Sequence, residues 1–148
     1  MLSYRKMERH FQLLQLVDKY KQQITSLRSG GLKAASFDGT PKAQGSITTD
    51  RIGETVISID RLQSKLLQLE ALANSERPEV EETIKLLTAG SGKYRIRTEL
   101  ILTMHYLNGR SLEEIAEILH IKSDSVKQAI QKPFEKSEEA EHGKNRTN

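Results

Sequence analysis

Eight polar or charged side chains crowd into the eleven residues from 122 to 132: Lys122, Ser123, Asp124, Ser125, Lys127, Gln128, Gln131 and Lys132. Their chemistry is recognition. An amide presents a donor beside an acceptor and suits a base edge, an ammonium group suits a phosphate, and a hydroxyl serves either. Chemistry that makes or breaks bonds has no comparable material. The histidines, His10, His105, His120 and His142, are scattered and lack carboxylate partners at metal-ligand spacing. Gly30-Gly31 and Gly90-Ser91-Gly92 are not followed by the Lys-Ser/Thr of a phosphate loop. No nucleophile stands beside a base and an orienting partner. The chain reads as a non-enzyme with no metal and no cofactor.

Two short helices must position the polar cluster. Ser111 caps the first, with Glu114 three residues on to complete a capping box, and Leu112, Ile115, Ala116 and Leu119 follow at helical spacing. This helix stops at His120, because Ser123-Asp124-Ser125 offers acceptors to the free amides of a new start. In the second helix Val126, Ala129 and Ile130 face one way and Lys122, Ser123, Asp124, Lys127, Gln128, Gln131 and Lys132 the other. Small Ala116 allows close approach, and Val126 closes the wedge against Ile115, Leu119 and Ile121. This is the layout of a DNA-binding helix-turn-helix, whose second helix enters the major groove. The turn needs positive φ, where Gly is usual; His120 stands there instead, at modest cost. Pro133 is expected to end or kink the reading helix at Lys132.

A supporting helix precedes the pair over residues 93–107, with Leu100, Ile101, Met104 and Leu107 as its packing face and Asn108-Gly109 as its stop. Arg95, Arg97 and Arg110, with Lys93, edge this three-helix unit, where phosphate contacts would position it without carrying sequence information. Phe134 is expected to tuck back onto the unit, and the tail that follows has no apolar pattern.

Upstream, Tyr4, Met7, Phe11, Leu14, Val17, Tyr20, Ile24 and Leu27 step by three or four, predicting a helix over 3–28 capped by Ser3 and ended by Gly30-Gly31. Residues 1–34 carry seven cations against two carboxylates. Residues 29–46 hold four glycines and one proline without a period and read as a loop. A second long helix starts at Thr48, Thr49 or Asp50, with Ile52, Val56, Ile59, Leu62, Leu66, Leu69 and Ala73 near coiled-coil rhythm. Gly53 marks either a close helix crossing or a later start. Asn74 to Pro78 is expected to break this helix, with Pro78 opening a short third helix on Val80, Ile84 and Leu87. Two helices with one apolar stripe each pair antiparallel, within a chain or across a dimer.

With 148 residues, 5% aromatics and no cysteine, the chain has little material for a large core and none for disulfides or thiolate zinc sites. The cytoplasm is the expected compartment. A net charge of +3 permits a nucleic-acid partner, and no apolar run approaches a membrane span. The fold class is all-α: a long antiparallel helical hairpin, coiled-coil-like, then a helix-turn-helix. The expected divisions are an oligomerising hairpin over 1–90 with the loop at 29–46, a DNA-binding unit over 91–134 and a disordered tail over 135–148.

The segment RTELILTMHYLNGRSLEEIAEILHIKSDSVKQAI resembles the region of bacterial sigma factors that reads the −35 promoter element. The order of a long helix, a Gly/Pro loop, TTDRIGETVISIDRLQSKLLQLEAL and the reader resembles small phage-encoded regulators of late transcription, of the ArpU and RinA type, over most of residues 3–132. The resemblance implies double-stranded DNA as partner near a phage late promoter, and activation through host RNA polymerase in a bacterial cell. Carried over by position, Lys122, Ser123, Asp124, Lys127, Gln128 and Gln131 face the groove. Two other readings fit a helix-turn-helix joined to long helices: a DNA-packaging component of the small-terminase kind, and an interaction module that binds polymerase or another protein without touching DNA.

Overall fold

A computed structural model describes the backbone of residues 1–36, 45–90 and 92–146. Among these residues the chain is all-α, with α1 (Tyr4–Ser36), α2 (Gly45–Thr88), α3 (Arg95–Tyr106), α4 (Leu112–Leu119) and α5 (Ser123–Arg146) in order. A single 3₁₀ turn, Gly92–Tyr94, leads into α3 and opens on Gly92 at φ 57°. Among the described residues, no helix is long and apolar enough to cross a membrane, and no cluster of His, Asp and Glu is placed to hold a metal ion.

Three expected breaks are helical. α1 runs through Gly30-Gly31 to Ser36; once a helix is nucleated, an interior glycine costs about 1 kcal/mol relative to alanine and does not stop propagation. α2 runs through Asn74–Pro78. Proline in a helix interior removes one backbone hydrogen bond and costs about 3 kcal/mol, but Val80, Ile84 and Leu87 directly beyond it are buried and hold the helix in line. The same physics carries α5 through Pro133, since Phe134 is 5% exposed on its far side. The helix therefore does not end at Lys132, and the tail expected to be disordered from 135 is helical to Arg146. Gly53 lies inside α2 with nothing within 4 Å of where a Cβ would stand, so it marks neither a close crossing nor a late start. Of the loop expected at 29–46, residues 37–44 lie outside the described residues, while 29–36 and 45–46 belong to α1 and α2.

The contacts divide the chain into two compact units, one of residues 1–14 with 73–148 and the other of residues 15–72. In the second, Val17 and Ile24 of α1 are buried, and Lys21 pairs with Glu70 of α2 at 3.2 Å. The two long helices thus pair within the chain. In the first unit, α3, α4 and α5 pack against one another, and the end of α2 and the start of α1 close the core. That core joins Met7, Val80, Ile84, Leu87, Ile101, Leu102, Tyr106, Ile115, Val126, Ile130 and Phe134.

Candidate nucleic-acid interface

The turn between α4 and α5 is built from local rules. Ser111 Oγ accepts the Glu114 amide at 3.2 Å, which fixes the start of α4. Its end is His120 in the left-handed region at φ 54°, ψ 45°, with its amide on Ala116 and Glu117 carbonyls. The Ile121 amide also returns to the Ala116 carbonyl, at 3.0 Å. That αL cap turns the chain within three residues, and α5 begins as the Ser125 and Val126 amides reach the Lys122 carbonyl at 3.0 and 3.3 Å. Ile115, Ala116 and Val126 are buried where the two helices meet. The geometry is a helix-turn-helix with α5 in the reading position.

Burial of Val126, Ile130, Pro133 and Phe134 fixes which side of α5 faces inward. Lys122, Ser123, Asp124, Lys127, Gln128 and Lys132 are exposed, and Ser125 and Gln131 half-buried. Five of them divide between two flanks of the helix. Arg97, Ser125, Gln128 and Lys132 line a hollow of about 670 Å³ between α5, the start of α3 and the end of α2. Lys127 and Gln131 line a smaller one against the first turns of α1, with Tyr4, Glu8 and Glu113. There Gln131 lies beside Tyr4, on the flank away from the larger hollow. Arg95 is exposed at the start of α3. Arg110 is exposed before α4, 3.8 Å from Glu114, and its carbonyl faces His105 Nδ1 at 2.8 Å. Since a carbonyl only accepts, Nδ1 carries a proton.

The first fourteen residues act as a buttress for this unit, a role that periodicity alone did not reveal. Met7 is fully buried in the core. Phe11 stacks on His105 with ring centroids 3.9 Å apart, and Tyr4 meets Phe134 edge-on at 5.1 Å. The Tyr106 hydroxyl donates to Glu8 Oε1 at 2.7 Å, with His105 Nε2 at 3.8 Å from the same oxygen. The His105 imidazole and the Tyr106 hydroxyl together hold the Glu8 carboxyl below the usual carboxylate range against the opposing effect of burial. Burial, and the Glu8 charge beside it, push the Tyr106 hydroxyl far up, keeping it a neutral donor. Leu2 donates its amide to Thr83 Oγ1 at 2.9 Å, and His10 Nδ1 meets Glu76 at 2.8 Å, tying α1 to the end of α2.

Among the residues of the larger hollow that sequence reasoning missed are Tyr94 and Lys136. Lys136 lies one turn beyond Lys132 on the same edge, a spacing hidden by the expectation that Pro133 ends the helix.

Residues 96–132 match the family model for sigma-70, region 4. The matched stretch spans most of α3, all of α4 and the polar start of α5, the same elements that form the helix-turn-helix. This part of the chain is therefore a sigma region 4-like unit, of the DNA-binding, transcription-factor kind. Comparison with curated proteins and with solved structures finds no match.

Proposed function

We propose that the protein is a sequence-specific regulator of transcription that binds double-stranded DNA through α5 and activates a phage or prophage late promoter together with the host's RNA polymerase in the bacterial cytoplasm. The observation that carries this reading is the polar, outward edge of α5, with Asp124, Gln128 and Lys132 exposed behind a well-formed turn in a stretch that matches sigma region 4. Gln128 offers bidentate hydrogen bonding to an adenine edge, whereas Arg97 and Lys132 suit phosphates. Ile96, 82% exposed on α3, and Leu100, 43% exposed one turn on, give the same unit an apolar stripe for a protein partner. Val56, Ile57 and Leu67 on α2, each more than half exposed, are suited to self-association. The phage assignment rests on the ordering of the long helices, the Gly/Pro segment and the reader.

The test is transcription in vitro by bacterial RNA polymerase from a template carrying the control region beside the protein's own gene. Added protein is expected to raise transcript yield from that template and not from a shuffled one, and Gln128→Ala to abolish the gain. Binding without any change in transcript would reject activation and favour a packaging role.

A further inference from the structure

The two flanks of α5 differ in sign. Among the described residues, no carboxylate lines the larger hollow, whereas Arg97, Lys132 and Lys136 all do, together with Tyr94. None of these three cations forms an ion pair with a described residue. Among the described residues, the opposite flank is lined by Glu8 and Glu113, with Lys127 and His105 beside them. Beyond Pro133 the outward ridge carries exposed Glu135, Glu138 and Glu139, which disfavour close approach of a polyanion along that line. Cations gathered without ion-pair partners repel one another and are relieved by an anionic partner. Gln128, Lys132 and Lys136 follow one edge of α5 over two turns, about 12 Å at 1.5 Å per residue. One small anion is much shorter than that, while a DNA strand, rising about 3.4 Å per nucleotide, sets several phosphates along it.

We infer that one sugar-phosphate strand of duplex DNA runs through the hollow between α5, the start of α3 and the end of α2, with Lys136 and Tyr94 joining Arg97 and Lys132 on its phosphates. The assignment rests on the proposed DNA binding and adds to it the side of α5 on which the strand lies and two contacts. Gln128 at the lip faces the groove, and the acidic ridge after Pro133 keeps the distal end of α5 off the opposite strand.

The experiment uses the full chain and measures fluorescence anisotropy on the control-region duplex and a shuffled duplex over a range of salt. Lys136→Ala should weaken both duplexes alike by several-fold and make the slope of log affinity against log salt shallower by about one, and Tyr94→Phe should weaken both without changing the slope. Lys136→Arg should retain the wild-type slope, which separates charge from folding. An unchanged slope in Lys136→Ala, with Gln128→Ala still losing preference for the native duplex, would overturn this strand placement and leave base reading intact. Absence of binding by the wild type to either duplex would overturn the DNA reading and this inference with it.

Discussion

Two residues show how single side chains set the form of the reader. His120 holds the αL position that a glycine would occupy without strain, and the turn it makes has the backbone geometry the spacing of Ser111, Glu114 and Ser123 requires. The positive φ was legible because only three residues separate two helices whose apolar faces must meet. Glu8 is the less legible case. It is one of only two carboxylates among the seven cations of residues 1–34, yet its carboxylate receives the Tyr106 hydroxyl and lies beside His105, contacts made across 98 residues in one case. Nothing local in the sequence encodes such a pairing. Because folding lowers the Glu8 pKa, the unfolded chain takes up the proton more readily than the folded one. The contribution of Glu8 is complete above the unfolded chain's carboxylate range and is lost as pH falls through the lower, folded value. Urea titrations from neutral pH down to about pH 3 should show a smaller acid-side loss of stability in Glu8→Gln than in the wild type. Equal losses would remove Glu8 from the account.

Among the elements, the short ones were read correctly and the long ones were cut too often. α4 begins and ends where its cap residues place it, because capping is a local matter of amides and acceptors. α2 and α5 each contain a proline and α1 a glycine pair, and tertiary burial outweighs the local penalty in the first two: Val80, Ile84 and Leu87 beyond Pro78, and Phe134 beyond Pro133. The first turns of α1 were assigned to an arm, since Met7 and Phe11 fit the same three-four rhythm as Val17 and Ile24. Periodicity gives the buried face and leaves open what covers it. The contacts give the start of α1 to the sigma-like unit. Met7, fully buried among Val80, Ile101, Tyr106 and their neighbours, should therefore matter to the reader itself. Met7→Ala is expected to cost about 2–5 kcal/mol, with faster amide exchange in α3 to α5. A loss under about 1 kcal/mol, with unchanged exchange there, would show that α1 is dispensable to the unit.

At the scale of the molecule, the chain joins a DNA-binding type of unit to a helical pair held within one chain by Val17, Ile24 and the Lys21–Glu70 ion pair. The all-α class followed directly from composition and period, and the helix-turn-helix from caps and spacing. The candidate interface was legible as a set of residue types and only partly as a surface. Arg97, Gln128 and Lys132 share a hollow, Gln131 lies on the other flank beside Tyr4, and Lys136 lies beyond a proline taken as a stop. The proposed regulatory role depends on base reading by α5. Its most direct measurement is the anisotropy of the wild-type chain on its own control-region duplex and on a shuffled duplex, each titrated with salt. A preference for the native duplex that persists as salt rises is the predicted result, since released counterions weaken phosphate contacts alike on both. Equal binding that fades together on the two duplexes would contradict base reading by α5.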